Sequence, residues 1–163
     1  MYDLAVAQAR RPEFYANARV PDTIDGRFEM VALHVYLLLR RMRGAGGQAD
    51  SAAQALIDRM AADMDANLRE IGIGDLAVPK RVYEILGAFY GRAKVYDAAL
   101  AGPGMAGLAE AIDRNVFGSV EADPQGAAVL ADYVRREEGR LAALPVSELL
   151  GGRFAFGPPP AAG

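Results

Sequence analysis

A chain of 163 residues, 52% hydrophobic and 24% charged, is long enough for one domain with a real core and has the balance of an ordinary globular fold. Its formal net charge is −3, and the 16 Arg and 2 Lys are scattered rather than gathered in a basic stripe, so nucleic acid is not an expected partner. The absence of cysteine removes disulfides, thiolate nucleophiles and zinc–thiolate sites together.

In chain order, Tyr2 to Arg10 is short and helix-permissive, and it stops before Pro12 because a residue ahead of proline is pushed out of helical geometry. Met1 to Ala9 carries Asp3 and is neither Arg-rich nor preceded by a basic leader, so no targeting segment is expected. Pro12 starts a second short helix ending near Ala18. After the extended Val20-Pro21 link, Asp22 or Thr23 can cap a helix running to Met42, with Asp25 near its positive end. Ile24, Phe28, Val31, Val35, Leu38 and Met42 share one face of it, and Met30, Leu33 and Leu37 lie nearly opposite, the pattern of a helix buried between layers. Met30 to Leu39 is the longest uncharged apolar run and falls short of the about 20 residues that span a bilayer, which predicts a soluble chain. Arg40, Arg41 and Arg43 crowd the C-terminal end, and glycines at 44, 46 and 47 break the helix.

Ser51 with Gln54 reads as a capping-box start, and Ile57, Met60, Met64, Leu68 and Ile71 form the apolar stripe of the helix that follows. Gly72 can take the left-handed conformation of a helix stop, with Ile73 folding back. Pro79 then opens a helix to Leu100, antiparallel to the first because the connection is short. Beyond the AGPG breaker, Met105, Leu108, Ile112 and Val116 mark a short helix. Asp123-Pro124 starts another, with Ala127, Leu130, Val134 and Leu141 inward and RREEGR (135–140) read as a solvated face. Pro145 to Leu150 gives one last short helix. Residues 151–163, with three consecutive prolines, are expected to be extended or disordered and to bury little, with Phe154 and Phe156 available to dock. The fold expected is all-α: a single-domain bundle of six or seven helices over residues 1–150, around the central buried helix from Thr23 to Met42.

Across these elements runs a pattern. Asp63-x-Asp65-x-x-Leu68-Arg69-Glu70-x-Gly72-x-Gly74-Asp75-Leu76-x-Val78-Pro79-Lys80 is followed by Ala88-Phe89-Tyr90-Gly91-Arg92 and Tyr96. Upstream lie RRPEFY (10–15), VPDTIDGRFE with Asp22, Thr23, Asp25, Gly26, Arg27 and Phe28, and His34; downstream lies RNVFG (114–118). Together these resemble the ubiquinol-cytochrome c chaperone family, assembly factors of the respiratory cytochrome bc complex, over roughly Ala9 to Gly118. The resemblance implies an all-helical bacterial protein without cofactor that binds newly made cytochrome b and performs no chemistry. It would work in the cytoplasm, peripheral at the inner face of the cell membrane through its client, meeting the ribosome or the membrane surface only indirectly.

The chemistry candidates support a non-enzyme. His34 is the only histidine, and with no cysteine beside it the better reading is a core-edge residue bonded to a backbone group or a carboxylate rather than a metal or haem ligand. Asp63, Asp65, Glu70 and Asp75 could suggest a magnesium site. Asp63 and Asp65 nevertheless lie about 200° apart around a helix, and Asp65 stands four residues before Arg69, an ordinary ion-pair spacing. No serine motif accompanies His34, and the glycines of GIGDL follow no strand. What remains is a binding module. Besides an assembly chaperone, a stable adaptor subunit of a membrane-associated complex and a magnesium-dependent helical enzyme stay open.

For the client surface the sequence offers the helix from Pro79 to Leu100. Val82, Ile85, Leu86, Phe89, Ala93, Tyr96 and Leu100 form its core stripe. Tyr83 and Tyr90, seven residues apart, lie to one side with Gly87 as a notch between them next to Lys94, suited to gripping an apolar segment. The alternative is that another helix, such as Met105 to Val116, covers the two tyrosines.

Overall fold

The computed structural model describes residues 1–118 and 122–161, and every regular element among them is an α-helix. Eight occur where six or seven were expected: α1 (Tyr2–Ala9), α2 (Pro12–Ala16), α3 (Ile24–Met42), α4 (Gly47–Glu70), α5 (Val78–Ala101), α6 (Ala106–Val116), α7 (Pro124–Ala143) and α8 (Val146–Leu150). Two of them, α2 and α8, are single five-residue turns of helix.

Thr23 caps α3: its backbone is extended and its Oγ1 accepts from the Gly26 N–H at 3.1 Å, while Asp22 is engaged by Arg27 at 2.6 Å. Both apolar faces of α3 are buried, through Val35, Leu38 and Met42 on one side and Met30, Leu33 and Leu37 on the other. It packs against α1, α4, α6 and α7. Ile24 departs from its stripe and is 74% exposed. The arginines at the far end act by tertiary bonding more than by the helix dipole. Arg40 reaches Asp97 at 2.7 Å and Glu138 at 3.2 Å, and Arg41 donates to the Leu141 and Leu144 carbonyls that close α7.

The capping box at Ser51 does not form. Gly44 and Gly46, at φ +73° and +100°, complete the turn early, and α4 is already under way at Gly47. Ser51 Oγ donates instead to the Gly47 carbonyl, and Gln54 binds Asp58. At the other end the stop is as expected. Gly72 has φ +90°, its N–H donates to the Arg69 carbonyl at 3.0 Å, and Ile73 N–H reaches the Leu68 carbonyl at 2.9 Å, the paired bonds of a Schellman motif. Ile57, Met60 and Met64 are buried, but Ile71 is exposed because the stripe runs off the end of the core. From α5 only Phe89, Tyr96 and Leu100 of the predicted stripe are fully buried; Val82, Ile85, Leu86 and Ala93 are half-covered at its margin.

Asp123 caps α7 through the Gly126 N–H at 3.0 Å, with Pro124 in the first turn. The RREEGR stretch is solvated only in part, at Arg136, Gly139 and Arg140. Glu137 is only 2% exposed, Glu138 pairs with Arg40, and Arg135 donates to the Leu100 carbonyl at 2.7 Å. Residues 153–161 form no regular element and bury more than expected: Gly157, Pro159 and Pro160 lie in the interior, and Phe156 meets the His34 ring edge-on at 5.0 Å.

Candidate functional site

The outward face of α5 carries the residues singled out for binding. Tyr83 is 79% exposed and Tyr90 is 49% exposed; α6 packs on α5 but leaves both open. The Tyr90 ring stands edge-on to Phe89, with centroids 5.5 Å apart, so a core residue steadies a surface one. Between the tyrosines, the position a Gly87 side chain would occupy has no atom within 4 Å, and Lys94 is exposed one turn beyond Tyr90. Gly91 is equally open. One end of this face is ordered by Arg81 and Lys80 around Glu84, at 3.2 and 3.9 Å, and the tip of the α4–α5 hairpin adds a wholly exposed Leu76. The arrangement leaves aromatic and apolar surface exposed beside a lysine.

The other motif residues are not gathered at this face. They divide among structural tasks. Thr23 and Gly26 build the start of α3, Asp22 and Arg27 pair beside it, Phe28 is half-buried, and Asp25 stays exposed in its first turn. Arg69 clamps the hairpin by bonding Asp65 at 2.6 Å and also Asp75 across the turn, while the Gly74 carbonyl accepts from Ala77 at 2.8 Å; Glu70 is exposed. Asp63 accepts instead from the Tyr2 hydroxyl at 2.8 Å. Of the four acids read as a possible magnesium site, Asp65 and Asp75 thus share Arg69, Asp63 turns to Tyr2 and Glu70 is exposed, and no cluster placed to hold a metal occurs among the described residues.

His34 sits deeper than expected, wholly buried rather than at the core edge, and its side-chain partner is a hydroxyl and not a carboxylate. Nδ1 lies 2.7 Å from the Met30 carbonyl, which only accepts, so Nδ1 carries the proton and Nε2 accepts from the Tyr133 hydroxyl at 2.9 Å. Gln8 Nε2 donates in turn to Tyr133 at 3.1 Å. Burial pushes the imidazole down to about 4, so it is neutral at physiological pH and has no free nitrogen for a metal or haem.

Sequence reasoning missed Glu29. It is buried, faces Arg92 at 2.7 Å and is pushed up to about 7 by burial, against the pull of the guanidinium. The available signal was a carboxylate among apolar positions of α3, matched by the one arginine of AFYGR. The pair ties α3 to the inner side of the helix whose outer side carries Tyr90.

The chain is 27% identical over 150 residues to ubiquinol-cytochrome c reductase complex assembly factor 1 of Mus musculus and to that of Homo sapiens, in both cases covering 92% of this chain and 50% of the relative. For the Xenopus laevis factor the identity is 26%, covering 74% of the relative. The chain therefore spans about half the length of the mammalian proteins it matches. The crystal structure of the Cbp3 homolog from Brucella abortus superposes with a TM-score of 0.87 at 39% identity, over 96% of this chain and 86% of that one. The family model described as ubiquinol-cytochrome C chaperone matches residues 16–156, most of the chain, and this all-helical protein belongs to that family.

Proposed function

We propose that the protein is an assembly chaperone that binds newly made cytochrome b and promotes assembly of the ubiquinol-cytochrome c reductase complex, without catalysing a reaction. The observation that carries this reading, beyond family membership, is the open face of α5, where Tyr83 and Tyr90 flank Gly87 beside Lys94. Two amphipathic rings at the mouth of a glycine notch suit an apolar segment that has not yet found its final partners. A Tyr83→Ala, Tyr90→Ala double variant tests the assignment. Exposed substitutions leave stability within about 0.5 kcal/mol each, so the fold should persist while capture of nascent cytochrome b drops at least about tenfold. Normal capture by the folded variant, or early melting, would remove these residues from the site.

In this reading the protein works in the cytoplasm at the inner face of the cell membrane and is held there by its client. No helix among the described residues is long and apolar enough to cross a membrane. Flotation with protein-free anionic liposomes should recover little of the protein, since the α5 face carries only Lys80, Arg81 and Lys94, the first two paired with Glu84. Strong recovery in the lipid fraction would show direct membrane attachment instead.

A further inference from the structure

The segment after α8 is held in the manner of a bound peptide, chiefly through its main chain. Gln8 Nε2 donates to the Gly157 carbonyl at 2.8 Å, Glu137 Oε2 accepts from the Gly157 N–H at 3.0 Å, and Asn17 Nδ2 donates to the Pro160 carbonyl at 2.8 Å. Gln8 and Glu137 are buried, and they come from helices at opposite ends of the sequence. Glu137 is held in place from its own helix by Arg140, 3.2 Å from each carboxylate oxygen, and this buried carboxylate turns Oε2 to the backbone N–H of the segment. The floor is aromatic. Phe14, His34 and Tyr133 pack edge to face, and the Phe156 ring stands perpendicular to His34 at 5.0 Å.

Specificity is built in at one position. A Cβ on residue 157 would meet Glu137 Oε1 at 2.2 Å and Arg140 Nη1 at 3.0 Å, so any residue larger than glycine after the aromatic anchor must push this ion pair aside. The prolines after it are extended without internal hydrogen bonds and lose little freedom on docking. Upstream, Gly151 and Gly152 form an exposed turn, with Gly152 at φ +67°, that separates this segment from α8.

We propose that Gln8, Asn17 and Glu137, over the Phe14–His34–Tyr133 floor, form a groove for extended peptides of the aromatic-Gly-Pro-Pro class, occupied in cis by residues 153–160. None of these residues lies on the α5 face, so the groove is a second binding site. A partner segment of the same pattern enters it only as the chain's own tail leaves, which makes the two mutually exclusive.

The test keeps the full chain, because the tail covers core residues during folding. A protease site inserted between Gly151 and Gly152 is cut after folding, and a fluorescent peptide of residues 153–161 is added. Saturable exchange of the labelled peptide into the cut protein is expected, with the Gly157→Ala peptide bound at least about tenfold more weakly. The proposal is overturned if the cut protein admits no peptide, whether it retains its tail or unfolds on losing it, or if the two peptides bind alike.

Discussion

Gly26→Ala should lower the melting temperature by about 6–12 °C, the change that about 3 kcal/mol produces in a domain of this size. The cause is local and steric. A Cβ at Gly26 would stand 2.0 Å from the Pro21 carbonyl oxygen and 3.0 Å from its carbon, and both are main-chain atoms that cannot rotate away. Relief requires moving either α3, whose two sides are buried, or the link that leads into it. That link is itself confined. Arg19 is at φ +58°, the Val20 N–H is bonded to the Phe14 carbonyl, and a Cβ at Gly126 would press on the Ala18 carbonyl at 2.6 Å. The first turns of α3 and α7 thus close on the same four-residue connection, each with a glycine three residues after its capping side chain. Gly139→Ala is the control: nothing lies within 4 Å of that position in α7, and alanine there should stabilise by about 0.5–1 kcal/mol. Equal melting temperatures for Gly26→Ala and the wild type would show that the link yields freely.

The same glycines show where the sequence is legible and where it stops. Periodicity alone placed the long helices, since Met30, Leu33, Leu37 and Val35, Leu38, Met42 are buried as two faces require. Local chemistry also sufficed at Gly72, where the bonds of a helix stop involve only residues 68 to 73. It failed wherever the deciding partner is distant in the chain. Nothing in RREEGR distinguishes Glu137 from its neighbours until Gly157, twenty residues on, supplies the N–H that brings it inside. The four acids around the hairpin look alike in sequence, and only the fold sends Asp63 to Tyr2, sixty-one residues away. Ser51 and Gln54 have the spacing of a capping box, but the preceding glycines had already turned the chain into α4. For the α5 face, spacing gives the direction in which Tyr83 and Tyr90 point. Whether a neighbour covers that direction is a tertiary fact, and here α6 leaves them open.

The wild-type protein should show nearly constant stability between pH 4.5 and 6.5, and Glu29→Gln should expose a steep dependence that two buried groups otherwise cancel. His34 is held down to about 4 by burial, against an ordinary value of 6.5. Between these values the unfolded chain takes up a proton that the folded one refuses, so this group's stabilisation is full above 6.5 and is lost as pH falls toward 4. Protonating it in place would put a second N–H against the Tyr133 hydroxyl, whose own proton already goes to Nε2. Glu29 behaves in the opposite sense. Burial pushes it up to about 7 from an ordinary 4.5, with Asp25 adding to the push and Arg92, at 2.7 Å, opposing it. The folded chain keeps a proton there that the unfolded chain releases, so its contribution is full below 4.5 and is lost as pH rises through 7. Each shift corresponds to about 3 kcal/mol at its full extent, with slopes of opposite sign over the shared window. With Gln at position 29 only the imidazole remains, and the stability measured by urea unfolding should fall by about 2–3 kcal/mol from pH 6.5 to 4.5. Parallel profiles for the two proteins would mean that Glu29 stays ionised against Arg92 throughout, and that the guanidinium outweighs burial at this contact.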